Sequence, residues 1–425
     1  MKILVVGGGG REHALVWKLK QSPLCGSIVC APGNAGIGRL AELAPIGAEA
    51  VEEQVQFAVG RRFDLVVIGP EAPLAAGLAD ALRAKGIRVF GPSRAAARVE
   101  SSKIFARRLM EKYGIPSPAY QAFENPEAAK SFVRELAFQG QRCVVKADGL
   151  AAGKGAIVTS STEEADAAID QCMIRREFGE AGRRIVVEER LTGPEVSILA
   201  ITGGRRLVIL PPAQDHKPAG EGDTGPNTGG MGAYSPVPIV TEELMETIRR
   251  TVLEPAVRGM EAEGAPYSGV LYAGLMICDG RPYVIEFNCR FGDPETQAVL
   301  PAFDEDLLPY LVNAAEGTLH QDQIVHARQS GVCVILASGG YPGAYEKGKA
   351  ITGLEAAEAE NVMVFHSGTR MQDGRLVTSG GRVLGVTGLG RDFQEACGRA
   401  YAAVEKIHFG NAYYRKDIGF RVCRR

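Results

Sequence analysis

Between residues 3 and 90, short apolar runs at 3–6, 27–30, 65–68 and 88–90 alternate with helical patterns at 12–21, near 51–59 and at 74–84. Strands that alternate with helices at this spacing imply a parallel, doubly wound α/β sheet. Ligands meet such a sheet at the carboxyl ends of its strands. Three turns rich in glycine and proline fall there, at 7–10, 32–36 and 69–73.

These turns lack the spacing of a nicotinamide-dinucleotide loop. Counting from Gly7 and Gly9, the third glycine of that motif would stand at Glu12, and from Gly8 and Gly10 at His13. The second strand ends in Cys30-Ala31-Pro32 and offers no acid to a ribose. A phosphate or sugar held by the glycine loop fits better.

At 425 residues the chain exceeds one ordinary core. The pattern changes near Ser102, giving an N-terminal domain over 1–102, a central region over 103–323 and a last α/β domain over 324–425. The central region opens with a helix at 103–113 and a linker at 114–118. A smaller unit follows at about 120–190, with strands at 143–147, 156–159 and 184–189, a helix at 162–172, and the glycine loop 148–155. Strands flank this loop, and Gly155 stands where a phosphate-binding P-loop needs Ser or Thr after Lys154. A mobile hairpin lid over phosphates is the expectation. Strands at 196–202 and 206–211 precede a long Gly/Pro-rich stretch at 214–238, read as a substrate loop because it carries Asp215-His-Lys217 and Asp223-Thr-Gly-Pro-Asn-Thr-Gly-Gly-Met-Gly232. A helix at 242–262 and strands at 269–278 and 281–288 complete the region.

The formal net charge of −2, without a Lys/Arg block, gives no reason to expect nucleic acid or an anionic membrane as partner. The opening run 1–6 is too short for a signal peptide, and no apolar run approaches about 18 residues. A cytoplasmic location is expected. The nine cysteines contain no Cys-x-x-Cys pair and read as reduced thiols packed in cores. A monomer acting on small molecules is the working expectation.

The most chemical segment is 284–297. Glu286, Asn288 and Arg290 lie two residues apart and share one face, while Phe287, Cys289 and Phe291 fill the other. A carboxylate and an amide oxygen suit a hard divalent cation, and a guanidinium suits a transferring phosphoryl group. Asp293 is expected to cap the following helix, with Pro294 in its first position. Lys146 interrupts a Val-rich strand and needs an anion.

In order along the chain, Gly9-Gly-Arg-Glu-His-Ala14, Ala31-Pro-Gly-Asn-Ala-Gly36, Val145-Lys-Ala-Asp-Gly-Leu-Ala-Ala-Gly-Lys-Gly155, the 223–236 block, 285–297 and Arg415-Lys-Asp-Ile-Gly419 resemble the ATP-grasp ligases. More narrowly, the whole chain is similar to the glycinamide ribonucleotide synthetase family. The resemblance implies that ATP, glycine and 5-phosphoribosylamine give ADP, phosphate and glycinamide ribonucleotide through glycyl phosphate. By that resemblance Lys103, Lys146, Gly153, Lys154 and Gly155 hold ATP phosphates, Glu188 reads the adenine and Glu195 the ribose. Glu286 and Asn288 bind Mg²⁺ or Mn²⁺, and Arg290, with Lys146 and Asp293, serves the transfer. Asp215, Asp293, Gly229 and Gly230 form the glycine pocket, and Asp215 pairs with its ammonium. Gly9, Gly10, Arg11, Glu12, His13, Glu71 and Arg382 face phosphoribosylamine. Pro218 stands where the family usually has arginine, and 193–197 replaces a more acidic stretch. Another ATP-grasp carboxylate–amine ligase with a different acceptor is the alternative.

Overall fold

The computed structural model describes residues 1–151 and 154–423. Its first unit is the parallel sheet that the alternation predicts. Strand Lys2–Gly7 lies at the centre, flanked by Ser27–Pro32 and Leu65–Ile68, with Glu42–Leu43 and Val89–Phe90 outside. Ile3, Leu4, Val5 and Val6 are fully buried, as expected where helices cover both faces. The single helix expected at 74–84 is instead two, Glu71–Ala76 and Leu78–Arg83, because Gly77 turns left-handed at φ +93° between them.

The lid is a separate antiparallel sheet in the order Tyr120–Phe123, Ile185–Glu189, Cys143–Ala147, Ala156–Val158, backed by helices Pro126–Phe138 and Thr162–Ile169. Cys143, Val145 and Ala147 enter its own apolar core. The two-residue period therefore turns Lys146 to the opposite face.

A second antiparallel sheet forms the body. It joins Arg281–Asn288, Ser268–Cys278, Glu195–Gly203 and Leu207–Ile209, with Gln323–Ile324 added in parallel. The expected helix at 242–262 runs as Glu242–Ile248, a π turn Arg249–Leu253, and Glu254–Ala262.

The stretch 214–238 is not a plain loop. It holds strands Gln214–Asp215, Pro218–Gly220, Thr224–Asn227 and Gly232–Ser235. The last of these pairs with Ser330–Ser338, so this segment extends the C-terminal sheet, which continues through Arg382–Gly390 to Val362–His366. The glycine and proline content hid these strands, of which Pro218–Gly220 and Thr224–Asn227 form a local hairpin and only Gly232–Ser235 has a partner remote in sequence. Helix Phe393–Val404 packs on this sheet, and the tail returns beside it, joining Cys397 to Cys423 in a disulfide. This corrects the reading of all nine cysteines as reduced thiols, since only the fold brings the two together; the other seven are free. No helix among the described residues is long and apolar enough to cross a membrane.

Candidate active site

Lid, body sheet, N-terminal sheet edge and C-terminal sheet enclose one cleft of about 620 Å³. Glu286, Asn288 and Arg290 line it, while Phe287 and Cys289 are 1 % exposed in the core behind. Burial would raise the Glu286 pKa, but Lys217, Lys103, Lys146 and Arg290 together bring it down to about 2. Asn288 stands beside it, its Nδ2 donating to Glu286 Oε1 at 3.4 Å. Opposite Glu286 the neighbouring strand places Gly274, which adds no ligand and leaves room beside the carboxylate. Among the described residues no cluster of three or more His, Cys, Asp or Glu side chains surrounds a metal position. Two hard oxygen donors on one wall of a wide cleft fit a divalent ion that keeps water or nucleotide oxygens in its remaining positions.

Arg290 is held from two sides. Its guanidinium lies 3.1 Å from Glu100 and 3.3 Å from Glu71, and burial, which would lower its pKa, is outweighed by these two acids. Glu71 also approaches Arg11, at 3.9 Å. Lys103 lines the same wall from the first position of helix Lys103–Lys112, which Ser102 caps. Lys146 donates to Ile285 O at 2.7 Å and pairs with Glu188 at 2.8 Å, and burial lowers its pKa.

Glu188 does something the sequence did not reveal. Both its carboxylate oxygens take hydrogen bonds from the fully buried Arg107, at 2.6 Å each, while the residue still borders the cleft. Glu195 pairs with Lys217 at 2.7 Å, and Lys217 lies 3.8 Å from Asp215. Burial, opposed by Lys217 and reinforced by Glu295, Glu195 and Glu286, raises the Asp215 pKa to about 7. Lys217 is held charged against burial by Asp215 and Glu195. Glu295 accepts from Tyr272 at 2.8 Å and from Ser197 at 3.1 Å. This end of the cleft thus carries four carboxylates around one lysine. It suits a cation.

Asp293 does not cap the following helix. Pro294 takes the capping position of Glu295–Ala302, and the Asp293 carboxylate accepts from Arg11 N at 3.4 Å and Gln297 Nε2 at 2.8 Å, and pairs with Arg382 at 3.2 Å. Arg382 also donates to the carbonyls of Gly229, Gly230 and Asp293. It ties the glycine turn to the strand end, and a side chain at Gly230 would strike Pro294.

Arg11, Glu71, Lys103, Lys146, Glu188, Glu195, Asp215, Gly229, Glu286, Asn288, Arg290, Asp293 and Arg382 all border the cleft. Other residues singled out from the sequence lie elsewhere. Glu12 accepts from Gly9 N at 2.6 Å and fills space that a side chain at Gly7 or Gly69 would need. His13 is buried against Phe365 and His366, accepts from His366 N at 2.8 Å, and is kept neutral by burial, which lowers its pKa to about 3. Gly10 packs against Ser367 and Gln297, and Gly155 against Ala151. Lys154 reaches Pro342 O at 3.0 Å. Gly153 lies outside the described residues. Sequence reasoning missed Glu100, Arg107, Lys217, Tyr272 and Glu295; of these, Lys217 and Glu295 stood inside motifs already noted.

The C-terminal segment fastens the loop that carries Asp215 and Lys217. Arg415, fully buried, bonds Asp417 at 2.8 and 2.7 Å, Asp223 at 2.9 Å and Pro218 O at 3.0 Å. Tyr413 donates to Ala219 O, Gly222 N to Asp417, and Gly419 N to His216.

Three larger sheets and a small antiparallel lid, whose Lys146 shares one cleft with Lys103 and a Glu-x-Asn-x-Arg strand end, define an ATP-grasp enzyme. The same fold occurs in the biotin carboxylase domain of the Hydrogenobacter thermophilus 2-oxoglutarate carboxylase, crystallised with MgADP, ADP and bicarbonate, which aligns with a TM-score of 0.75 at 15 % identity over 97 % of this chain and 91 % of that one. The models of the phosphoribosylglycinamide synthetase N, ATP-grasp (A) and C domains match residues 1–100, 101–296 and 331–421, and the chain belongs to the phosphoribosylglycinamide synthetase family. It is 50 % identical to the phosphoribosylamine–glycine ligase of Nostoc sp. over 99 % of this chain and 100 % of that protein, and 49 % identical to that of Rhizobium meliloti over 100 % and 99 %. The Thermotoga maritima phosphoribosylamine–glycine ligase superposes with a TM-score of 0.85 at 36 % identity, over 98 % of this chain and 100 % of that one.

Proposed function

We propose that the chain joins glycine to 5-phosphoribosylamine with ATP, giving glycinamide ribonucleotide, ADP and phosphate in de novo purine synthesis. The observation that carries this reading is a single cleft in which lysines, a Glu-x-Asn-x-Arg strand end and an acidic cluster meet. Lys103 and Lys146 are cations suited to phosphates, Glu286, Asn288 and Arg290 line the same cleft, and Asp215 with its acidic neighbours suits an ammonium.

In this reading Asp215 orients glycine by its ammonium, so that its carboxylate oxygen faces the γ-phosphorus held against Lys146 and Arg290. Attack forms the acyl–oxygen–phosphorus bond and breaks the bond to ADP, whose new charge the lysines neutralise. Arg11 and Glu71 hold phosphoribosylamine so that its amine reaches the acyl carbon. The amide C–N bond forms, phosphate leaves, and the amine proton departs with it or to water. Glu286 and Asn288 would hold Mg²⁺ or Mn²⁺, which supplies charge neutralisation on the phosphate oxygens. Positioning and charge suffice, and no enzyme nucleophile is invoked. The same reading has the chain work in the cytoplasm as a monomer, without nucleic acid.

The test is ADP release with ATP and Mg²⁺, leaving out glycine and then phosphoribosylamine. Product should need both, and ADP formation indifferent to either omission would overturn the assignment.

A further inference from the structure

Arg107 and Arg108 are adjacent on helix Lys103–Lys112, yet Arg108 is exposed while Arg107 is only 2 % exposed. The Arg107 guanidinium spans three segments of chain. Its Nε and Nη2 donate to the two oxygens of Glu188 on a lid strand, and Nη1 and Nη2 donate to Val284 O and Ile285 O at 2.8 Å each, just before Glu286. Lys146 uses two of the same acceptors, Ile285 O and Glu188. Two buried cations thus share one carboxylate. Lys146 borders the cleft and Arg107 does not.

Buried ion pairs of this kind add little net stability, because desolvation offsets the attraction. Their geometry has another consequence here. With Arg107 engaging both oxygens of Glu188, the charge of Lys146 is only partly compensated from behind and remains directed at the cleft. The same guanidinium fixes the carbonyls of the strand that presents Glu286. We infer that Arg107 is a positioning residue for the nucleotide phosphates, acting through Lys146 and the Glu286 strand without touching the ligand. This rests on reading the cleft as the ATP site.

Without Arg107, Glu188 pairs with Lys146 alone and that lysine becomes neutralised toward the phosphates. The test compares binding of ADP with Mg²⁺ and of adenosine, by calorimetry, with KM for ATP and for glycine measured alongside. Arg107→Met should weaken ADP binding by about tenfold or more, roughly 1.4 kcal/mol. Adenosine binding and KM for glycine should stay within about twofold, because neither depends on that charge. The double variant Arg107→Met/Glu188→Gln restores the charge count and should regain most of the ADP affinity. Equal loss of ADP and adenosine binding, unchanged ADP binding, or a double variant no better than the single one would each overturn the inference. If Arg107→Met does not fold, Arg107→Lys decides it. That variant keeps the charge but not the fork, so it should keep the preference for ADP over adenosine while kcat falls, and loss of the preference would refute the charge argument. Wild-type protein that fails to bind ADP would instead refute the ATP reading itself.

Discussion

Arg290 and Glu100 face each other across 3.1 Å where the N-terminal domain meets the body sheet, and Glu100 also accepts the main-chain N–H of Cys289 at 2.7 Å. One buried acid therefore aims the arginine and anchors the strand end that bears it. Glu100→Gln keeps an acceptor for Cys289 but removes the charge opposite Arg290. Turnover should fall about tenfold and stability by about 2 kcal/mol, the scale of a buried hydrogen bond to a charged group. Steady-state kinetics and thermal unfolding check this, and wild-type turnover would show that Arg290 needs no such support.

Glu286→Gln should cut turnover by more than about tenfold and shift the Mg²⁺ titration to higher concentration, since a neutral amide binds a hard cation poorly. The fold should stay intact, but the melting temperature without metal should drop, because the cations that hold the Glu286 pKa down to about 2 make its charge stabilising at neutral pH. An unchanged metal titration would remove Glu286 from the metal site.

Asp215 gives a pH signature. Its folded pKa of about 7 lies above the unfolded value of about 3.9. The stability it contributes is full below the unfolded value and is lost as pH rises through about 7. An ammonium ligand favours the ionised form, so KM for glycine should fall between about pH 6 and pH 8. Asp215→Asn should raise that KM and flatten its pH dependence; a slope that persists in the variant would assign it to another group.

Arg415→Met leaves Asp223 and Asp417 without their shared cation. Stability should drop by about 3 kcal/mol, in the range for breaking a buried charge network. In the protein that remains folded, KM for glycine should rise several-fold while KM for ATP changes little. Equal effects on both would mean that the network serves the fold alone.

Much of this was legible because it is local. The two-residue period alone put Glu286 and Asn288 on one face and Phe287 and Cys289 on the other, and the strand–helix alternation dictated the N-terminal sheet. Glu100 and Arg107 were not legible, since each looks like a solvated helix residue until packing encloses it. The strands within 214–238 escaped for a related reason: their glycines and prolines weaken local propensity, and only Gly232–Ser235 is anchored by a remote strand, at 331–334, while the others pair within the segment. That the Glu188 carboxylate takes both its oxygens to Arg107 was not legible either, because no local pattern discloses a partner on a different element.

The fastening of the 218–227 hairpin by residues 413–421 also sets an order of assembly. On the ribosome, the N-terminal sheet, the lid and the Glu286 strand all emerge before that segment exists. The wall bearing Lys103, Lys146 and Glu286 is therefore synthesised while the loop bearing Asp215 and Lys217 still lacks its fastening, and the Asp215 side of the cleft must wait for residues 413–421.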